Sequence, residues 1–389
     1  MLREPSPFSL MAYASSMTEF LTPRPTDDWA GRERVEPLPV LFSFVDSEIP
    51  AMAALAWAIT ALHTDEDLVE EVRGFIDPGM ILGGPAWLAP IGKIEPDETW
   101  LQGDVLGDGE NVIVSWRWSD GSPATAVVYV DHNMGTVVKD AFVIPEPASE
   151  IVARSQELGD EGMTCVPLDP ADARARVAEA IEMGSRLVPP FETDSWPMCR
   201  PMVEWAIGHL PPGGTGYERP EWSDEARDGL LDDFLASPHA AIDGVAPALV
   251  RQLAAPLIWF ACDWGPGDPL RWSPVSVEIV LTDWYPRKVF GLREDEGGHL
   301  PAVLAGFVRF AHERTSVPAD RTRQTVEAVD AWTPDYLEAI ADPGDRRVAA
   351  AQRLARIAAG LDPDDPGLGD LFDDDDWDDD DWDDDDWDD

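Results

Sequence analysis

The last twenty residues, Asp370–Asp389, cannot belong to a packed core. They contain fifteen aspartates, and tryptophan recurs at every fifth position as Trp377, Trp382 and Trp387. Five residues advance a helix by about 140° beyond one full turn, and an odd spacing alternates faces in a strand, so neither structure gains an apolar stripe. Carboxylates at this density also repel one another. The pattern predicts a disordered acidic tail over residues 362–389.

The rest of the chain is also strongly acidic. The formal charge of the 389 residues is −48, and removing the fifteen tail aspartates leaves −33 for residues 1–369. A field of this sign repels a phosphate backbone and attracts basic proteins, so we expect cationic partners and no direct nucleic-acid binding. Hydrophobic residues make up 44 % of the chain, which is enough for a large globular core.

Cysteine usage and apolar runs predict a cytoplasmic protein. Cys165, Cys199 and Cys262 are far apart and odd in number, which excludes a fully paired disulfide framework and favours a reducing compartment. The longest apolar run, 253–262, is about half of a membrane span. The N-terminal apolar stretch, Phe8–Ala14, is short for a signal peptide. We therefore expect no membrane segment.

Hydrophobic periodicity predicts an α+β fold that is predominantly helical. Strand-like alternation is confined to residues 111–144, where turns at 119–122 and 131–135 separate three or four antiparallel strands of a small β-meander. We expect four regions, in chain order an irregular N-terminal arm, a helical pair with the β-meander, a mainly helical domain and the disordered tail: residues 1–40, 41–150, 151–361 and 362–389.

Several helix starts carry a capping residue followed by proline. Asp169-Pro170 and Ser273-Pro274 have this pattern, because a short polar side chain accepts an orphan amide and proline lacks one. The segment after the second cap, Val275–Trp284, alternates like a strand, but the cap favours a helix. Further along, Thr322–Trp332 and Pro334–Ile340 are predicted as separate helices because proline interrupts the pattern.

A first group of candidate functional residues lies where a predicted strand turns. Asp131 and His132 are adjacent there, and a histidine beside a carboxylate can act as a general base or bind a metal. The same stretch, with Asn133 and Gly135, also has the residues that a tight turn needs for its own hydrogen bonds and positive φ. The turn interpretation is favoured.

A second group lies in residues 267–288, where charged and indole side chains interrupt an apolar stretch. Its candidate binding residues are three cations, two tryptophans and one carboxylate: Arg271, Trp272, Asp283, Trp284, Arg287 and Lys288. The cations could clamp an anion while the indoles stack on a planar ligand. The same groups also suit helix caps and core edges, and no nucleophile stands beside a base. The sequence assigns no catalytic residue, metal or cofactor.

An arginine-rich helix is predicted close to the tail. Asp345–Gly360 carries four arginines in an otherwise acidic chain: Arg346, Arg347, Arg353 and Arg356. One hypothesis is that the tail folds back on this helix and masks it, because tethering gives millimolar effective concentrations. The alternative is an ordinary exposed helix followed by a tail that only solubilises the chain.

Four stretches resemble uncharacterised hypothetical proteins of actinobacteria. They are Val128–Asp140, Arg271–Pro274, Asp283–Lys288 and Leu300–His312. The similarity covers roughly residues 100–340 and includes no catalytic motif. The resemblance implies a bacterial cytosolic protein and supplies no activity.

Together these features predict a non-catalytic interaction or regulatory protein. Its tail would bind cationic partners, with tryptophan adding cation–π contacts to arginine, or would mask the protein's own basic helix. One alternative is an enzyme or small-ligand-binding protein, which requires Asp131 and His132 to meet the Trp272–Lys288 segment in one cavity. Another is a nucleic-acid mimic whose carboxylates imitate phosphates.

Overall fold

A computed structural model describes most of the chain. The described residues are 2–24, 34–133, 135–158, 162–289 and 292–341. They form helices around one five-stranded antiparallel sheet, which confirms the predicted α+β fold class. The predicted tail, 362–389, and the arginine-rich helix, Asp345–Gly360, lie outside the described residues.

The helices and strands have the following bounds. The helices are α1 Phe8–Leu21, α2 Pro37–Asp46, α3 Pro50–Leu62, α4 Glu66–Phe75, α5 Pro78–Leu82, α6 Ala148–Leu158, α7 Pro170–Gly184, α8 Ser195–Gly208, α9 Asp224–Ala236, α10 Pro247–Trp259, α11 Pro274–Glu278, α12 Tyr285–Lys288, α13 Glu294–Gly297, α14 Leu300–Thr315 and α15 Ala319–Ala341. The strands are β1 Ile94–Asp104, β2 Gly109–Trp118, β3 Pro123–Asp131, β4 Val137–Ile144 and β5 Met163–Pro167. Short π-helical turns, Phe260–Trp264 and Ile279–Trp284, continue α10 and α11. Over the described ranges, no helix is both long and apolar enough to cross a bilayer.

The sheet has the order β4-β3-β2-β1-β5, and its neighbouring strands are antiparallel. The predicted meander corresponds to β2, β3 and β4, whose inner face is apolar because Val112 pairs with Val128 and Trp116 with Ala124. The flanking strands β1 and β5 were not predicted. Most of their residues stay partly or fully exposed, and β1 has an irregularity between Pro96 and Thr99, so neither strand shows the alternation typical of a half-buried strand.

Two large hydrophobic cores divide the described chain. The first combines α1–α5, the inner face of the sheet, α7 and α8. The second combines α9–α12, α14 and α15. Tyr217 packs against the first core and Trp222 against the second, so the change between cores lies there rather than near residue 150. The reason is that α7 and α8 supply the apolar cover for the sheet, with Val177 and Val203 fully buried.

The N-terminal region differs from the predicted irregular arm. Residues 8–21 form α1, in which Leu10, Met11, Ala14 and Leu21 are buried in the first core. The prolines that suggested irregular structure flank this helix instead of interrupting it, and Pro7 occupies its N-cap. The prediction for residues 1–40 is therefore wrong over α1 and at the start of α2.

The C-terminal part of the described chain contains a second difference. The helices predicted at 322–332 and 334–340 are one continuous helix, α15, that passes through Pro334. Burial of Val329 and Tyr336 on the second core holds the two halves on one axis despite the missing amide. The helix predicted after Ser273-Pro274 is confirmed, because residues 274–284 are helical throughout.

Two glycines test how tightly the sheet and helices pack. A Cβ at Gly109 in β2 would lie 2.6 Å from the Val130 carbonyl oxygen, so we expect Gly109→Ala to lower the free energy of unfolding by about 1–3 kcal/mol. The control is Gly74→Ala in α4, where a Cβ meets open space, and it should raise stability by about 0.5 kcal/mol. Denaturant unfolding measures both, and a neutral Gly109→Ala would contradict the strand packing.

Candidate functional site

The two groups of candidate residues partly converge where the two cores meet. The turn after β3 and the segment that starts α11 both contact the loop between β1 and β2. We call the resulting cluster the polar junction, and its members are Asp108, Glu110, Asp131, His132, Asn133, Arg271 and Ser273.

Asp108 is the carboxylate that joins these segments. It accepts a hydrogen bond from Asn133 Nδ2 at 2.9 Å and another from the Ser273 hydroxyl, while its own carbonyl accepts the His132 amide at 2.8 Å. Burial raises the pKa of Asp108, and the hydrogen bonds from Ser273 and Asn133 oppose that shift. One side chain therefore links the sheet of the first core to a helix of the second.

Ser273 has a structural role at the start of α11. Its hydroxyl oxygen accepts the Ser276 amide at 3.0 Å, and Ser276 Oγ accepts the Ser273 amide at 2.8 Å, which together make a capping box. Its hydroxyl hydrogen is donated to Asp108. The Ser273 hydroxyl thus uses its oxygen to accept a backbone amide and its hydrogen to bind Asp108. This geometry does not support a nucleophilic role for Ser273.

Glu110 forms the second centre of the junction. It accepts the Tyr217 hydroxyl at 2.6 Å and Arg176 Nη1 at 3.0 Å, and its Oε2 lies 3.8 Å from His132 Nε2. Burial alone would raise the pKa of Glu110, but hydrogen bonds from His132 and Tyr217 and the charge of Arg176 lower it instead. Glu110 is therefore held as an anion that fastens α7 and the loop after α8 to the sheet.

Asp131 stabilises the turn in which it lies. Its Oδ1 accepts the Asn133 amide at 2.8 Å, and Oδ2 is 3.3 Å from Lys139 Nζ. The first bond closes an Asx turn, which is the hydrogen bonding that the turn interpretation anticipates. His132 contacts Thr136, with Nδ1 3.3 Å from the hydroxyl oxygen, and Glu110.

Arg271 lies at the junction as a largely buried cation. Its Cδ would be 2.8 Å from a Cβ on Gly107, whose φ of +71° also disfavours any other residue. Burial lowers the pKa of Arg271, and the carboxylates of Asp108, Asp268, Asp131 and Glu110 counter that effect. Its Nη2 is buried without a hydrogen-bond partner among the described residues. Arg271 thus balances the negative charge that the junction collects.

The two predicted tryptophans lie inside the second core. Trp272 is 1 % exposed, and its indole nitrogen donates to the Pro269 carbonyl at 3.0 Å. Trp284 is 4 % exposed and contacts the rings of Trp259 and Phe260. Rings packed in this way contribute to folding and present no face to a ligand.

The remaining predicted residues lie on the surface of the second core. Asp283 pairs with Arg287 across one helical turn at 3.0 Å, and both side chains are more than half exposed. Lys288 lies with Nζ 4.3 Å from the centroid of the Trp264 ring. The eight predicted residues therefore do not form one site: Asp131, His132 and Arg271 meet at the polar junction, and the other five belong to the second core.

Sequence reasoning missed the central carboxylates of the junction. Asp108 and Glu110 alternate with Gly107 and Gly109, and a run of alternating glycine and acid between two strands marks a turn that presents carboxylates. It also missed His312, which is 1 % exposed. His312 Nε2 donates to the Trp272 carbonyl at 2.9 Å, and Nδ1 is 3.1 Å from the Thr322 hydroxyl.

Two clefts near the surface lie away from the junction. One of about 450 Å³ separates α3 from α4 and is lined by His63 and Arg73. Another of about 380 Å³ lies between the start of α10 and residues 293–299. Across the described ranges, no group of three or more histidine, cysteine, aspartate or glutamate side chains is arranged to hold a metal ion.

Exposed carboxylates that have no cationic partner among the described residues gather on two helices. Those on α4 are Glu66, Asp67, Glu70 and Glu71, and those on α9 are Asp224, Glu225 and Asp228. None of them forms an ion pair within 4.0 Å to a cation of the described chain, although Asp224 lies in the electrostatic field of Arg227. These two acidic faces project charge into solvent.

Comparison with protein-family models, with curated proteins and with solved structures finds no match to this chain. The resemblance to actinobacterial proteins therefore stays a prediction.

The linkage between the cores can be tested at Ser273. We expect Ser273→Ala to lower the free energy of unfolding by about 2 kcal/mol, because it removes a helix cap and also a donor to the half-buried Asp108. The matched control is Ser223→Ala, which removes only the exposed cap of α9 and should cost about 1 kcal/mol. Denaturant unfolding of each variant, alone and in an Asp108→Asn background, gives its coupling energy with Asp108. If Ser273→Ala lowered the free energy of unfolding by the same amount in both backgrounds, a role for the Ser273–Asp108 bond would be excluded.

His312 should make stability depend on pH in a defined direction. Burial lowers the pKa of His312, so the folded chain holds the ring neutral while the unfolded chain binds a proton near pH 6.5. The hydrogen bonds of the neutral ring contribute stability that is fully present above about pH 6.5 and is lost as the pH falls below that value. Hence His312→Gln should be more destabilising at about pH 7.5 than at about pH 5.5 in urea unfolding.

The control for this measurement is Ser223→Ala, which removes the exposed cap of α9 and no titratable group. It should change stability equally at the two pH values. A His312→Gln effect that is independent of pH would contradict the neutral buried ring.

Proposed function

We propose that the protein is a non-catalytic interaction protein that binds cationic partners through its surplus of carboxylates. The main support for this proposal is the difference in pairing between the positive and the negative side chains of the fold. The mostly buried Arg176, Arg200 and Arg227 pair with carboxylates of the chain, whereas the exposed carboxylates of the α4 and α9 faces form no ion pair with a cation of the described residues. The surplus is large, since the formal charge is −48.

Arginine pairing within the first core illustrates this use of charge. Arg200 lies 2.9 Å from Glu19 and also pairs with Glu192, and Arg176 pairs with Glu110. The side chains of Arg176 and Arg200 are mostly buried. They hold secondary-structure elements together and are not available to attract an anion from solvent. The net field outside the fold is therefore negative, which favours basic partners and speeds their association.

The spacing of the α4 carboxylates supports the same proposal. Glu66 and Glu70 are four residues apart, as are Asp67 and Glu71, so each pair juxtaposes like charges on one helix. Such pairs destabilise a helix by roughly 0.2–0.5 kcal/mol each, although acids in the first turn are favoured by the helix dipole. A bound cationic surface would relieve this repulsion.

The tail extends the proposed binding surface. Its aspartates supply long-range attraction, and Trp377, Trp382 and Trp387 supply cation–π contacts that favour arginine. In the absence of a partner, the tail would engage Arg346–Arg356 of its own chain, and a more cationic partner would displace it. The proposal includes residence in the cytoplasm, which the free thiols of Cys165, Cys199 and Cys262 support.

The test is binding to an arginine-rich peptide as a function of salt. The full chain should lose about tenfold or more in affinity between about 50 and about 300 mM salt, because exposed charges are screened over about 10 Å. Deletion of residues 362–389 should weaken binding at low salt and flatten this dependence. Fluorescence anisotropy of the labelled peptide measures both effects.

The control variant replaces Trp377, Trp382 and Trp387 with alanine and keeps every tail charge. It should preserve the salt dependence and reduce the preference for arginine over lysine peptides. Binding that ignores both salt and the tail deletion would contradict the proposal. Replacing Arg346, Arg347, Arg353 and Arg356 with glutamine should strengthen peptide binding if the tail masks this helix.

A further inference from the structure

Helix α2 keeps part of its apolar surface exposed within the described structure. Its sequence, PLPVLFSFVD, is rich in large apolar residues, yet Leu41 is the residue that becomes fully buried. Phe42, Phe44 and Val45 are only partly buried against the first core. An amphipathic helix normally buries most such side chains, so α2 retains apolar surface that faces outward.

An aromatic pair concentrates this apolar surface. The ring of Phe42 on α2 contacts the ring of Phe75 on α4, with centroids 4.3 Å apart and planes inclined by 39°. Phe75 is 59 % exposed, so the pair forms a contiguous apolar patch on the surface instead of a buried contact. Contiguous exposed apolar patches mark interaction surfaces, whereas single exposed residues are common and carry little meaning.

Carboxylates run directly into this patch. Asp67, Glu71 and Phe75 follow one another at intervals of four residues, so they lie along one side of α4. Leu68 and Val72 point to the core, and Asp67 and Glu71 are exposed. The interval of four residues corresponds to about 6 Å along the helix axis. We define the α2–α4 face as Phe42, Asp67, Glu71 and Phe75. It combines an exposed aromatic pair with a row of negatively charged side chains.

We propose that the α2–α4 face docks a basic amphipathic helix of a partner protein. This inference rests on the proposed function and specifies the form of its cationic partner. A partner helix with lysine or arginine at intervals of four residues repeats the 6 Å spacing of Asp67 and Glu71, while its apolar stripe covers Phe42 and Phe75. Charge complementarity selects this occupant, since the row of carboxylates repels an acidic helix and an anionic membrane surface alike.

The test uses two model peptides with the same composition. One is a leucine–lysine peptide of about 18 residues designed as an amphipathic helix, and the other is a scrambled sequence with equal charge but no apolar stripe. Fluorescence anisotropy with the full chain should give at least tenfold tighter binding of the amphipathic peptide. Phe75→Ala should remove most of that preference, and it should leave the scrambled peptide unaffected.

A charge variant gives an independent measure of the face. Asp67→Asn combined with Glu71→Gln keeps the shape of the side chains, and it should weaken the amphipathic peptide by about threefold to tenfold. Because both residues are exposed, we expect this variant to fold normally. It therefore tests the α2–α4 face even if Phe75→Ala disturbs folding.

Matched controls lie elsewhere on the chain. Phe20→Ala removes an aromatic ring of α1 that is 63 % exposed, and Glu225→Gln with Asp228→Asn removes two exposed charges from α9. Both should preserve the preference for the amphipathic peptide. Far-ultraviolet circular dichroism and unfolding midpoints establish that each variant is folded.

The outcomes separate this inference from the proposed function. Equal binding of the two peptides, with a steep salt dependence, would overturn the docking site and leave the proposed function intact. Loss of binding to both peptides at every salt concentration would overturn both. A concentration-dependent dimer that Phe75→Ala abolishes in sedimentation would overturn the choice of occupant, because it would identify a second copy of the chain on this face.

Discussion

The described fold depends on a carboxylate that both cores share. Asp108 belongs to the loop between β1 and β2, yet it accepts donors from the turn after β3 and from the cap of α11. Because a buried or half-buried carboxylate is costly without partners, these donors and the nearby Arg271 fix the relative placement of the segments that carry them. The turn at Asp131 and His132 and the segment at Arg271, which the sequence suggested as parts of a possible active site, thus meet at a contact that joins the two cores.

The small number of cations in the chain also explains why its surface is acidic. The chain has 28 lysines and arginines against 76 aspartates and glutamates. When a fold places its scarce cations at internal positions, such as Arg176 beside Glu110 and Arg200 beside Glu19, the excess carboxylates are left on outward helix faces. Internal cohesion and an external negative field therefore arise from one distribution of residues, and the proposed binding function follows from the second of these.

The sequence predicted features that local chemistry controls. The turn residues between β2, β3 and β4 and the cap-plus-proline starts of α7 and α11 were found correctly, because each depends on a few neighbouring side chains. Features that depend on distant packing were missed: α1 behind its flanking prolines, the polar strand β1 and the unbroken α15. Asp131 and Arg271 could each be singled out, but Asp108, which brings their segments together, is recognisable only once the strands are paired.

The packing of α1 has a consequence for how the chain is made. Ser15 in α1 donates to the Met198 carbonyl in α8 at 2.7 Å across a sequence separation of 183 residues. At translation rates of about 5–20 residues per second, the ribosome needs roughly 9–37 s to deliver the partner of α1 after α1 itself. During this interval Leu10, Met11 and Ala14 have no α8 to cover them, so completion of the first core must await synthesis of more than half of the polypeptide.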